Sequence, residues 1–151
     1  MPRDKPLSEI VLRKYERPYN VDKRQLVKKI CLSLGLLQPG DSRDVVVDIL
    51  LVLLNERKNK TKLDSDEIKF RVEEVRKEHN LEIRGVAESN IRRQLKRLRD
   101  LMIVDKQQNL YYISEFEPLH EIFDQKIHKL LVEPSIERLK EYMRELDKPE
   151  G

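Results

Sequence analysis

Few residues in this sequence have the types and spacing that metal or enzyme chemistry requires. His120, Asp124 and His128 recur at intervals of four, so on one face of a helix they would offer nitrogen, oxygen and nitrogen ligands to a metal ion. Apolar residues flank this row and no fourth ligand is implied, so the polar margin of a packed helix is the favoured interpretation. The single cysteine, Cys31, lies among apolar residues, which favours a buried and reduced thiol.

The motifs of common catalytic and nucleotide-binding sites are absent from the sequence. Its four glycines form neither GxxxxGK[ST] nor GxGxxG, and neither HExxH nor GxSxG occurs. A catalytic site needs titratable groups that converge on a pocket, and the sequence shows no such grouping. We therefore expect a protein that is not an enzyme and that holds no cofactor and no metal.

Composition narrows the class of protein further. Charged residues make up 39% of the 151 residues, compared with roughly 25% in average soluble domains, and an excess of Lys, Arg and Glu is typical of thermophiles. The formal net charge is nevertheless only +3. The longest apolar run, residues 49–54, is far shorter than the about 20 residues of a membrane span. No secretory signal is visible, so we expect a cytoplasmic protein without a membrane partner.

Hydrophobic spacing and capping residues predict six helices and three short strands within a single domain, residues 1–151. Asp22 is the predicted cap of the first helix, and Asp64 or Ser65 that of the third. Residues 1–40 hold nine Lys or Arg and four Asp or Glu. They form a basic arm, either phosphate-contacting or merely solvated, and a first helix over 22–34. The second helix begins after a cap at Asp41 or Ser42, ends near Arg57, and is apolar almost all round, which indicates packing on several sides. The remaining elements are a short strand at Leu63, helices at 64–80 and 87–101, strands at 102–105 and 110–114, and helices at 115–131 and 134–147.

The helix over residues 87–101 has two sharply different faces. At 100° per residue its apolar side chains fall within about 80° of arc; they are Ala87, Ile91, Leu95, Leu98 and Met102. The opposite side carries guanidinium, ammonium, amide and hydroxyl groups. Residues 82–99 hold six basic and two acidic side chains, the local asymmetry that nucleic-acid binding requires. A merely solvated face is the alternative, but the turn before this helix and the hairpin after it favour a binding face.

The order of elements in residues 41–114 is helix, short strand, helix, turn, helix and hairpin, which is the winged helix-turn-helix arrangement. The stretch 89–104, SNIRRQLKRLRDLMIV, resembles the recognition helix and first wing strand of winged helix-turn-helix transcriptional regulators. The family commonly has glycine where this chain has Met102. The whole chain, including SLGLLQPGDSR at 33–43, also resembles predicted archaeal transcriptional regulators. We therefore expect a mainly α fold with this core, a small β-hairpin wing and additional N- and C-terminal helices.

The resemblance implies a sequence-specific regulator that places the helix 87–101 in the major groove of double-stranded DNA. The implied DNA contacts are Ser89, Asn90, Arg92, Arg93, Lys96 and Arg97, with Lys106 in a wing whose tip is residues 106–109. Arginine and asparagine suit guanine and adenine edges, whereas lysine and serine suit phosphates. The alternative is a winged-helix protein–protein interaction module in a transcription, replication or segregation assembly, without base-specific binding. The near-neutral net charge favours that alternative.

The C-terminal helices, residues 115–148, are expected to form a homodimer. Residues 115–147 hold nine acidic and five basic side chains, a poor surface for DNA. Their apolar residues follow helical spacing and predict a seam of Phe123, Ile127, Ile136, Leu139, Tyr142, Met143 and Leu146. A two-fold dimer would place two recognition helices about one DNA turn apart, ~34 Å. The alternative is that these helices fold back on their own domain.

Overall fold

The computed structural model describes residues 6, 8–12, 14 and 16–150. The fold is mainly helical, with a small two-stranded antiparallel sheet. Where the sequence predicts a single domain, the contacts divide the chain into two compact units, separated between Phe116 and Glu117. Chain length sets the total size of a domain but does not reveal how its contacts are distributed. No helix in the described part of the chain has the length and apolar character needed to cross a bilayer.

The first unit contains four helices close to the predicted ranges. They are α1 (Lys23–Ser33), α2 (Val45–Arg57), α3 (Ser65–Glu78) and α4 (Glu88–Asp100). The carboxylates of Asp22 and Asp64 accept hydrogen bonds at 2.8 Å from backbone N–H groups in the first turns of α1 and α3, which confirms both predicted caps. Helix α2 begins at Val45, so the predicted cap at Asp41 or Ser42 is wrong. Asp44 precedes the helix, and its carboxylate bonds to Arg24 and Arg76 rather than capping the first turn.

Helix α2 lies at the centre of the first unit. Residues 45–53 are all buried, and the helix contacts α1, α3, α4 and the sheet. This confirms the prediction that α2 packs on several sides. One of the buried residues, Asp48, is charged, so the core contains a polar group that must be paired.

The sheet is a tight hairpin of β1 (Val104–Gln107) and β2 (Leu110–Ile113). Leu63 extends this sheet by one bridge, since its backbone N–H and C=O both bond to Tyr111 at 3.0 and 2.7 Å. The two strands of the predicted hairpin are present, but the first lies two residues later than the predicted 102–105, because Met102 forms the turn after α4. The wing tip is therefore shorter than the predicted 106–109: residues 106 and 107 belong to β1, and the turn is residues 108–109.

The turn from α4 into β1 uses a conformation that glycine adopts most easily. Met102 has φ of 63°, in the left-handed region. The N–H of Met102 donates to the carbonyl of Arg99 at 2.8 Å, and the N–H of Ile103 donates to the carbonyl of Leu98 at 3.1 Å. These two bonds form a Schellman motif. Met102 therefore adopts the left-handed conformation at the position where winged helix-turn-helix regulators commonly have glycine.

The second unit is one continuous helical segment rather than two separate helices. It comprises α5 (Leu119–Ile122), a π-helix (Phe123–Val132) and α6 (Glu133–Leu146). The backbone stays right-handed helical at both junctions. The predicted break before Pro134 is wrong, because Pro134 occupies the first turn of α6, where a missing N–H costs little. The predicted start at Glu115 is also wrong, since Glu115 has φ of 53° and Pro118 precedes the first helical turn.

Candidate nucleic-acid interface

The inward side of α4 is fixed by the core of the first unit. Ile91, Leu95 and Leu98 are fully buried, which confirms the predicted apolar stripe at its centre. Ala87, at the start of the stripe, is exposed, and Met102, at its end, is half-buried. Because three successive turns of the helix are anchored, the direction of its opposite side is determined by packing.

The opposite side of α4 faces solvent, as the sequence predicts. Ser89, Arg92, Arg93 and Lys96 are all exposed. Arg92 pairs with Glu88 at 2.6 Å, and Lys96 pairs with Asp100 at 3.2 Å, each one turn apart. Exposed pairs of this kind contribute at most about 1 kcal/mol, so both cations can exchange a carboxylate for another anion at small cost.

Asn90 is half-buried and holds the turn that precedes α4. Its Nδ2 donates to the carbonyl of Gly85 at 2.7 Å, and its Oδ1 accepts from Arg93 at 2.7 Å and from Gln94 at 3.2 Å. Both ends of the amide are therefore engaged within the protein. Within the protein, Asn90 therefore orients the Arg93 guanidinium and ties α4 to the loop before it, while its role as a DNA contact stays a prediction.

Two further predicted contacts lie away from the exposed centre of α4. Arg97 is half-buried, and its guanidinium donates to Gln94 at 2.8 Å and to the carbonyl of Gly35 at 3.3 Å. Lys106 is exposed, but it lies on β1 with its ammonium 5.5 Å from the centre of the Tyr111 ring. Lys106 lines a surface depression together with Arg92, so the wing reaches the N-terminal half of α4.

Two arginines that no sequence pattern singles out, Arg43 and Arg84, complete the basic surface. Arg43 precedes α2 and Arg84 lies in the loop between α3 and α4, and both line a cleft of about 760 Å³ with Arg93 and Arg97. Each stands singly in a loop, so no periodic pattern marks it. The one sequence signal for Arg84 was the excess of basic residues in 82–99. That excess includes Arg84 but does not show which way its side chain points.

A buried ionic cluster supports the loop that carries Arg84. Asp44 and Asp48 each accept hydrogen bonds from Arg24 and Arg76 at 2.7 to 3.2 Å, and all four side chains are buried. Arg76 also donates to the carbonyl of Glu82 at 2.6 Å. Burial raises the pKa of Asp44, but the hydrogen bonds from Arg76 and Arg24 outweigh it and hold that pKa below its ordinary value. The cluster joins α1, α2, α3 and the loop before α4.

In the described part of the chain, no group of three His, Cys, Asp or Glu side chains is placed to hold a metal ion. The π-helix aligns residues five apart, so His128 contacts Phe123 and pairs with Glu133 at 3.4 Å. The row of three residues spaced four apart, His120, Asp124 and His128, therefore does not form. Cys31 is a free and buried cysteine, as predicted. Burial raises the pKa of its thiol to about 12.

The predicted dimer seam is only partly available at the surface. Ile127 is buried and Phe123 is half-buried, so these two residues do not present an apolar face. The remaining five residues are exposed and lie on α6, namely Ile136, Leu139, Tyr142, Met143 and Leu146. Helix α6 buries none of its residues. The predicted seam is therefore shorter than the sequence indicates and is confined to α6.

No protein-family model, curated protein or solved structure matches the chain. Its own geometry offers an anchored helix with Arg92, Arg93 and Lys96 exposed on its outward side, flanked on one side by the wing and on the other by an arginine-lined cleft. Cations held on a rigid convex element are suited to phosphates and base edges.

Proposed function

We propose that the protein is a sequence-specific double-stranded DNA-binding transcriptional regulator with α4 as its recognition helix. The observation that carries the proposal is the exposure of Arg92, Arg93 and Lys96 on the side of α4 opposite its fully buried stripe. A helix about 10–12 Å wide fits the major groove, which is about 12 Å wide. Arg93 is held by a neutral amide and keeps an uncompensated charge, so it is the strongest candidate for a guanine edge.

The order of elements supports a winged-helix architecture for this proposal. Helix α2, the single bridge at Leu63, α3, α4 and the β1–β2 hairpin follow one another as in that fold. In this architecture the hairpin is the wing, and Lys106 on β1 contacts a phosphate beside the groove that α4 occupies.

A homodimer formed through α6 is part of the proposal. The five exposed apolar residues of α6 lie on one side of the helix. A continuous apolar face of this kind rarely stays exposed to water and commonly marks an interface with another protein. A second copy would bury this face, and its two-fold symmetry would match a palindromic site with half-sites about one helical turn apart.

The experiment that tests the proposal is selection of bound duplexes from a random pool at two salt concentrations. A consensus sequence that persists at the higher salt, where non-specific binding weakens steeply, is the expected result. Retention of every sequence alike, or of none, would refute sequence-specific recognition. Enrichment of a palindrome would further support the dimer.

A protein–protein interaction module is the second candidate, and one observation favours it. Phe70 on α3 is 61% exposed, and a large exposed aromatic residue is typical of interaction surfaces. Substituting Phe70 with serine separates the two functions: a DNA-binding regulator keeps its duplex affinity, whereas an interaction module loses its protein partner. If the protein is an interaction module, the duplex selection described above yields no consensus sequence.

A further inference from the structure

The cleft beside α4 brings together four arginines from three separate segments of the chain. Arg43 comes from the loop before α2, Arg84 from the loop between α3 and α4, and Arg93 and Arg97 from α4 itself. The volume is about 760 Å³, within the range of about 300 to 1,000 Å³ for small-molecule sites. A concave space of this size can surround a group that a flat basic surface would only touch.

The positive charge of the cleft is largely uncompensated. Among the residues that the structure describes, Asp41 is the one carboxylate that lines the cleft, and it accepts a hydrogen bond from the backbone N–H of Arg43 at 2.9 Å. Arg93 and Arg97 donate only to neutral groups, and Arg43 has no side-chain partner among the described residues. Arg84 pairs with Glu82 at the exposed surface. The cleft therefore carries a clear excess of cations.

The two arginines that α4 contributes, Arg93 and Arg97, are held before any ligand arrives. Asn90 bonds to the carbonyl of Gly85 and orients Arg93, while Gly35 and Gln94 hold Arg97. Guanidinium groups fixed by neutral partners keep their charge and lose little side-chain freedom on binding. This arrangement is typical of a site that is formed in advance.

We infer that this cleft binds phosphate groups. A carboxylate is planar and is satisfied by one bidentate guanidinium, whereas a phosphate presents oxygens in several directions and suits arginines that approach from several sides. Two sources share this chemistry, namely a free phosphorylated small molecule and a backbone phosphate of DNA. The inference does not depend on the proposed function, because the lining residues alone carry it.

Calorimetric titration with sodium pyrophosphate at constant ionic strength tests the inference. The protein should bind pyrophosphate, and Arg43→Ala/Arg84→Ala should weaken binding at least about tenfold, since two charge-assisted contacts are lost. The matched control, Arg138→Ala/Arg144→Ala, removes two exposed arginines of α6 and should bind as the unmodified chain does. Absence of binding by the unmodified chain, or equal weakening in the control, would overturn the inference.

A competition experiment with a fluorescent duplex identifies the source of the phosphate. If pyrophosphate displaces the duplex and Arg43→Ala/Arg84→Ala weakens duplex binding, the cleft takes a backbone phosphate. If duplex affinity is unchanged in that variant, the cleft takes a free phosphorylated molecule. A chain that binds pyrophosphate but no duplex would refute the proposed function and leave the phosphate site standing.

Discussion

The Nη1 atom of Arg76 lies 2.7 Å from the Oδ2 atom of Asp48, and Asp48 is completely buried in the first turn of α2. The same nitrogen lies 2.9 Å from Asp44, and Arg24 approaches both carboxylates from α1. Two positive and two negative charges therefore balance inside the core. Since Arg76 also donates to the carbonyl of Glu82 in the loop before α4, this relationship connects the stability of the core to the placement of α4.

Replacing Arg76 with alanine should destabilise the protein strongly. The change leaves two buried carboxylates with one guanidinium, and uncompensated buried charges of this kind cost about 3–5 kcal/mol. Denaturant unfolding measures the loss. Arg71→Ala, on the same helix, removes a partly exposed pair with Glu56 and should cost no more than about 1 kcal/mol. Equal losses of unfolding free energy in Arg76→Ala and Arg71→Ala would show that the buried ionic cluster does not stabilise the core more than an exposed pair does.

The free energy of unfolding should fall as the pH drops below about 4. The pKa of Asp44 is held below its ordinary value in the folded chain, so the unfolded chain takes up a proton first. The stability from this difference is fully present at neutral pH and is lost as the pH falls through the folded-state pKa. Asp44→Asn should unfold more easily at pH 7 and show a shallower acid dependence. An unchanged acid dependence in the variant would argue against a role for Asp44.

Cys31 should resist thiol reagents in the folded protein. Its side chain is fully buried and burial raises its pKa to about 12, so little thiolate is available at pH 8. Alkylation by iodoacetamide should be more than about 100-fold slower than at a cysteine introduced by Ser89→Cys on the exposed side of α4. Unfolding should abolish the difference, and comparable rates in the folded protein would contradict the burial of Cys31.

Substitutions on the exposed side of α4 should separate base contacts from phosphate contacts. Arg93→Ala should cost about 1–3 kcal/mol of binding and relax the preference at one base pair, whereas Lys96→Ala should weaken all sequences alike and reduce the salt slope by about 1. Fluorescence anisotropy over a salt series measures both effects. Lys129→Ala, in the second unit, is the control. If the double variant Arg93→Ala/Lys96→Ala bound DNA unchanged at ~100 mM salt, this face would not be the interface.

A charge on the apolar side of α6 should separate the proposed dimer. Leu139 is 52% exposed, so Leu139→Glu should leave the stability of the single chain nearly unchanged. It should prevent pairing because a carboxylate would be buried without a partner. Light scattering after gel filtration gives the mass of each variant, with Glu141→Ala as the control. A monomeric unmodified chain, or a dimer that survives Leu139→Glu, would exclude this interface.

The sequence by itself determined the local features of this protein. The spacing of Ile91, Leu95 and Leu98 predicted the inward side of α4, and Asp22 and Asp64 predicted the starts of two helices. Each of these features depends on residues within about one helical turn, because periodicity and capping are local interactions. The exposed side of α4 followed once its buried side was known. The α-helical spacing was misleading in residues 123–132, where the π-helix changes which side chains align.

Only the tertiary structure decided which distant charges meet. Arg76 and Asp44 are 32 positions apart, and their pairing depends on how α3 packs against α2. Arg43 and Arg84 share one cleft for the same reason, since two loops meet only after the helices have packed. Isolated charged residues in loops have no periodicity that reveals a partner. Packing of the core thus brings Arg43 and Arg84 into one cleft with Arg93 and Arg97, and it buries Arg24 and Arg76 against the carboxylates that pair with them.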